Sequence, residues 1–124
     1  MPSTILIVDD STTIRAMVRR ALEEDRHEVL EASHGAAALA ALEQANADLV
    51  ITDLLMPGMD GLALTRALRA SERFRATPIL VLTTEGGGSM KEQGRAAGAT
   101  GWLVKPFQPD VLRQTVRRVL EQRA

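Results

Sequence analysis

The chain has 124 residues, of which 45% are apolar, 25% charged and 2% aromatic, and its formal net charge is −1. That length suits one globular domain, with a core built from Ala, Leu, Val and Ile rather than from aromatic rings. The near-neutral charge excludes the large positive excess of a generic nucleic-acid or membrane-surface binder, and the absence of cysteine excludes disulfides and thiolate metal sites.

Residues 4–8 are a continuous apolar run, as expected for a strand buried on both faces. Ile14, Met17, Val18, Ala21 and Leu22 then follow helical spacing. Residues 28–31 read as a weak strand, and Ala38, Ala41, Leu42 and Ala45 mark a second helix. Residues 49–52 are again strand-like, and Leu64, Ala67 and Leu68 carry a third helix. Met56-Pro57-Gly58-Met59 suits a type II turn, with Pro second and Gly third. Residues 79–82 are a strong strand. Residues 90–97 have the thinnest helical pattern, with Gly86, Gly87 and Gly88 before it and Gly94 inside it. Each interior glycine costs about 1 kcal/mol relative to Ala, so residues 84–90 are expected to be the most mobile loop. Residues 101–104 are the last strand. Pro106 and Pro109 bracket Phe107-Gln108 and break the chain before a helix whose stripe is Val111, Leu112, Thr115, Val116, Val119 and Leu120.

Five β–α units imply an α/β fold, a parallel sheet covered by helices on both faces, with right-handed crossovers. Ligands of such sheets bind outside the carboxyl ends of the strands. The start MPSTILIVDD is too short and too acidic for a signal peptide, and no apolar run reaches the length of a membrane span. The cytoplasm is the expected compartment, and no membrane partner is expected.

The strand ends carry the chemistry. The first strand runs into Asp9 and Asp10, the third into Asp53, the fourth into Thr83 and Thr84, and the fifth into Lys105 and Pro106. On a parallel sheet these ends share one rim. Two unit charges ~4 Å apart repel by about 4 kcal/mol at an effective dielectric of ~20. One lysine cannot balance three carboxylates, whereas Mg²⁺ binds through one or two carboxylates plus water. Asp10 or Ser11 could equally serve to cap the helix beginning near Thr12, and Thr83 and Thr84 could serve as strand-end hydrogen-bonding groups. A carboxylate beside a metal can also attack phosphorus to give an aspartyl phosphate. Lys105 and Thr83 are then at hand for the phosphoryl oxygens.

At these residues the sequence resembles the receiver domains of two-component response regulators, in particular the stand-alone chemotaxis regulators of the CheY type. The stretches that carry the likeness are ILIVDDS, DLVITDLLMPGMDG, ILVLTTE and AAGATGWLVKPF, in that order and over essentially the whole chain. The resemblance implies a doubly wound, flavodoxin-like, five-stranded parallel sheet of order 2-1-3-4-5 with five helices. It implies a single receiver domain over residues 1–124 with no output domain. It makes Asp53 the phosphoacceptor, and makes Asp10, Asp53 and the Leu55 backbone carbonyl Mg²⁺ ligands, with Asp9 acting largely through water. It assigns Thr83 and Lys105 to the phosphoryl group, Trp102 to the switch aromatic, and a cis bond to Lys105–Pro106. Trp stands here where Tyr or Phe is commoner. Leu55 and Glu85 occupy the positions that tune dephosphorylation, and an apolar Leu55 cannot orient an attacking water, so slow self-hydrolysis is expected.

The expected function is a phosphorylation-activated switch with no substrate beyond itself: it catalyses only its own phosphorylation and dephosphorylation. The implied partners are a histidine kinase of the CheA type, a protein target such as a flagellar motor switch component, and a phosphatase. The signal is expected on the face of helix four, strand five and helix five. A monomer is expected. Two alternatives share the fold: a receiver-like module that acts unphosphorylated, and a phosphate sink. A dehalogenase-type phosphohydrolase is disfavoured by adjacent rather than D-x-D acids, and a flavodoxin-like cofactor binder by an acidic first loop. From Lys105 to Ala124 the side chains carry one Lys, four Arg, one Asp and one Glu. Arg113, Arg117 and Arg118 are expected to face solvent, and nucleic acid is not expected as a partner. His27 and His34 read as surface or strand-edge residues rather than metal ligands.

Overall fold

The apolar runs form five strands, β1 (Thr4–Val8), β2 (Glu28–Ala32), β3 (Leu49–Asp53), β4 (Ile79–Thr83) and β5 (Gly101–Val104). The helices are α1 (Thr12–Glu24), α2 (Gly35–Gln44), α3 (Gly61–Ala70), α4 (Gly88–Ala97) and α5 (Pro109–Gln122). The structure, a computed structural model, describes residues 2–84 and 88–122. All neighbouring strands pair in parallel, in the order β2-β1-β3-β4-β5. β3 and β4 are buried at every position, as their uninterrupted apolar character requires, whereas the edge strand β2 leaves Glu28 and Glu31 exposed.

Strand alternation sorts the core into layers. Ile5, Ile7, Leu49 and Ile51 meet Val18 and Leu22 of α1 and Leu112 and Val116 of α5. Leu6, Val8 and Val50 meet Ala38 and Leu42 of α2 and Leu64 and Leu68 of α3. A smaller cluster of Leu54, Leu62, Val81 and Ala97 fills the space under α4, with Met90, Ala99 and Trp102 against it. Side-chain caps start three helices: Ser11 Oγ accepts from the Ile14 N–H at 3.2 Å, His34 Nδ1 from Ala37 at 3.1 Å, and Asp60 Oδ1 from Ala63 at 2.8 Å. Ser11, not Asp10, therefore caps α1.

Several details refine the sequence expectation. β2, β3 and β4 each extend one residue further, because the ladder continues to Ala32, Asp53 and Thr83. α4 begins at Gly88, yet only Gly94 and Ala97 are buried in it, so its apolar face is as thin as its composition implied. The expected mobile loop, residues 84–90, includes Glu85, Gly86 and Gly87, which lie outside the described residues. Arg113 and Arg117 do not simply face solvent. α5 packs beside α1, and their long stems reach its end: Arg113 Nη1 lies 2.7 Å from Glu24, and Arg117 holds Asp25 through two contacts of 2.8 and 3.0 Å. Arg118 is exposed as expected.

His27 stands just before the edge strand but is buried, not a surface residue. Its Nδ1 accepts from the Ser3 N–H at 3.0 Å, and its Nε2 is buried without a partner among the described residues. Burial pushes its pKa below the ordinary 6.5, with the Asp25 charge opposing. The unfolded chain thus binds the proton more tightly. The contribution to stability is full above the ordinary value and is lost as pH falls through it towards the lower folded value. Urea denaturation should show a lower midpoint at about pH 5.5 than at about pH 7.5. His27→Gln should narrow that difference; an unchanged difference assigns the pH dependence to other groups.

Candidate functional site

The register of the sheet sets the heights of the strand tips. Val8 pairs with Thr52, so Asp9 and Asp53 emerge level on neighbouring strands. Asp53 pairs with Leu82 and Thr83 with Val104, so Thr83 and then Lys105 follow one step higher each. Asp9 is fully buried, Asp53 and Thr83 are buried, and Asp10 is exposed. One carboxylate oxygen from each of Asp9, Asp10 and Asp53 lies within 4.8 Å of the others.

Lys105 Nζ reaches into this group, 3.0 Å from Asp9 Oδ2 and 3.2 Å from Asp53 Oδ1. Asp9 Oδ1 accepts the Ser11 N–H at 2.9 Å, so both oxygens of Asp9 are engaged within the protein. Burial, and next the charge of Asp9, push the Asp53 pKa above the ordinary carboxylate value, with Lys105 opposing. Burial works against the charge on Lys105, but Asp9 and then Asp53 hold its pKa above the ordinary lysine value. Three carboxylates against one ammonium leave an uncompensated negative charge. The donors are hard anionic oxygens with no sulfur or imidazole among them, a set that fits Mg²⁺.

The remaining expected site residues have surroundings of their own. Leu55, two residues beyond Asp53, exposes 66% of its surface. The Lys105–Pro106 bond is cis. Trp102 is partly buried against the cluster of Leu54, Leu62, Val81 and Ala97, and pairs in register with Val81, two residues before Thr83. Glu85 lies outside the described residues. Gly58 takes φ +78, as the third residue of a type II turn requires.

Two residues close to the site were not singled out from the sequence. Arg15, one turn into α1, donates from Nη1 to the Asp9 carbonyl and from Nε to Glu31 Oε1 at 2.9 Å. It ties the acidic loop to β2, and nothing local in the sequence marks that long-range pairing. Gly61 starts α3 so close to β3 that an added Cβ would lie 2.3 Å from the Asp53 carbonyl oxygen. Its only signal was the second glycine of PGMDG.

A five-stranded α/β sheet with an acid cluster and a lysine at its strand tips defines a receiver-type signalling domain. The chain belongs to the response regulator receiver domain family, which matches residues 5–117. It is 44% identical over 119 residues to the chemotaxis protein CheY1 of Helicobacter pylori, covering 94% of this chain and 95% of that protein. The structure of the Vibrio cholerae chemotaxis response regulator CheY4 superposes with a TM-score of 0.92 at 44% identity, over 96% of this chain and 99% of that one. The receiver domain of the sensor histidine kinase PA1611 of Pseudomonas aeruginosa, solved with a magnesium ion coordinated in its active site cleft, gives a TM-score of 0.89 at 27% identity, over 98% of this chain and 100% of that one. The chain is thus a receiver domain of the CheY type. No described helix is long and apolar enough to cross a membrane.

Gly61→Ala should destabilise the fold by roughly 2 kcal/mol, because the clash is with backbone and the helix must move. It should also weaken Mg²⁺ binding, measured by the magnesium-induced rise in melting temperature. A variant with native stability and native magnesium response would show that the close approach is not required.

Proposed function

We propose that this receiver domain is a phosphorylation-activated switch that takes a phosphoryl group onto Asp53 from a histidine kinase of the CheA type. The observation that carries the proposal is the three-acid cluster with Lys105 Nζ at 3.0 Å from Asp9 and 3.2 Å from Asp53. Asp10, Asp53 and the Leu55 carbonyl would hold Mg²⁺, and Asp9, whose oxygens are already engaged, would act through water. When bound, the ion would draw charge from the phosphoryl oxygens and offset the repulsion among the acids. The magnesium ion in the cleft of the related PA1611 receiver domain supports this choice of metal.

In the transfer, a carboxylate oxygen of Asp53 forms the new bond to phosphorus as the bond from phosphorus to the donor imidazole nitrogen breaks. The imidazole leaves with the electron pair. Lys105 neutralises one phosphoryl oxygen and the Thr83 hydroxyl donates to another. Hydrolysis later returns Asp53 to a free carboxylate, so the chain acts only on its own phosphoryl group. The signal passes through Trp102 to the face of α4, β5 and α5, where Val104 and Val111 are exposed apolar residues. A protein target, such as a flagellar motor switch component, fits that surface. The chemotaxis proteins among the relatives support a role in chemotaxis. A cytoplasmic monomer, serviced by a phosphatase, fits the same role.

Trp102 is the sole tryptophan. Its fluorescence should change on addition of Mg²⁺ and again on addition of acetyl phosphate. Asp53→Asn should abolish the second change. No response of the native protein to either reagent would favour a module that acts unphosphorylated.

Leu55 is exposed and apolar, so it has no group with which to orient an attacking water. Leu55→Asn should speed loss of the phosphoryl group by roughly tenfold, the scale of a single positioned hydrogen bond of about 1.4 kcal/mol. The decay of the tryptophan signal after removal of the donor measures it. An unchanged decay rate would remove Leu55 from control of the lifetime.

A further inference from the structure

Gly94 looks like a defect in α4. It lies in the interior of the helix with the thinnest apolar face, where alanine would be the better helix former. The structure gives it a steric reason. An added Cβ would stand 2.7 Å from Cζ3 and 3.0 Å from Cε3 of Trp102. Carbon atoms in good contact stay about 3.5–4.0 Å apart. The indole therefore occupies the space that any other residue at position 94 would claim.

The surroundings of the indole connect this contact to the strand tips. Trp102 pairs in register with Val81, two residues before Thr83. It packs against the cluster containing Leu54, the residue after Asp53, and Ala97 of α4. The Leu54 N–H is fixed to the Leu82 carbonyl at 2.9 Å. The indole thus packs with a cluster that includes Leu54, next to Asp53, and Val81, two residues before Thr83, while its Cζ3 and Cε3 fill the space a Cβ at Gly94 would take.

We propose that Gly94 is a positioning residue for Trp102: the missing side chain lets the indole lie down on α4, and the size of residue 94 sets how firmly α4 is coupled to the strand tips. The coupling half of this proposal rests on the phosphorylation switch described above; the steric half does not. A tryptophan on β5 and a glycine on the neighbouring helix are then a matched pair.

The test compares the native protein, Gly94→Ala, Trp102→Val and the double variant. Gly94→Ala should displace the indole before any phosphodonor is added. Its emission should shift to the red and its acrylamide quenching constant should rise by roughly twofold as the ring loses contact. Melting followed by circular dichroism should show Gly94→Ala to be more favourable in the Trp102→Val background than in the native one. Unchanged emission and quenching, with additive melting shifts, would overturn the steric assignment, and the melting cycle keeps the test decisive if one variant is less stable. With Mg²⁺ and acetyl phosphate, the fluorescence change in Gly94→Ala should be at most about half the native one, the ring having lost its seat. A full native change would overturn the coupling. A native protein that ignores acetyl phosphate, while Gly94→Ala still displaces the indole, would remove the phosphorylation reading and uphold the steric one.

Discussion

Asp9 and Asp53 share a single ammonium, Lys105 Nζ, at 3.0 and 3.2 Å. The lysine lies 96 and 52 positions from them in the chain, and it reaches Asp9 across the two strands, β3 and β4, that separate β1 from β5. The contact exists only if the sheet is complete and in register. Taking charges out of water is expensive, and a buried pair is stable only with good geometry and further hydrogen bonds. Asp9 has such help from the Ser11 N–H. Burial and then the charge of Asp9 raise the Asp53 pKa, with Lys105 and the Leu54 backbone opposing. The pocket is therefore strained electrostatically in a way that a divalent cation, or a change in the charge on Asp53, can relieve or redistribute.

The rigidity of the site follows from where its residues stand. Asp53 and Thr83 are the last members of ladders buried at every position, not parts of loops. Their side chains inherit the precision of the central strands. The more adaptable parts lie around them: the exposed Asp10, the turn at Pro57-Gly58 and the exposed Leu55. Under the switch proposed above, this division would hold the Asp53 carboxylate still while leaving the surrounding rim open to a partner.

Much of this was legible in the residues themselves. Continuous apolar runs marked the strands because a parallel sheet buries both faces, and the polar residue ending each run marked the rim. The order of the strands was not legible from pattern alone and came through the family resemblance. What escaped detection was long-range or steric. Arg113 and Arg117 read as solvated cations because nothing adjacent in sequence shows that they reach Glu24 and Asp25, and Arg15 drew no reading at all because its partner Glu31 is 16 residues away. His27 read as peripheral because edge position and exposure usually go together; here the strand is at the edge but the imidazole is buried under the chain start at Ser3. Gly61 was hidden because a glycine before a helix is ordinary, and only the 2.3 Å approach to the Asp53 carbonyl oxygen makes it necessary.

Gly94 shows how a local rule can mislead in a useful way. By propensity it weakens α4 by about 1 kcal/mol relative to Ala. That figure treats the helix as isolated. In the fold the same position lies under the ring of Trp102, and alanine would trade helix propensity for a contact of 2.7 Å. A thin helix with only Gly94 and Ala97 buried can shift at small cost, since few packed side chains resist it. A large ring that packs with Leu54 and Val81 and also fills the space beside Gly94 links the strand-tip cluster to this thinly packed helix, which is the link the proposed coupling uses.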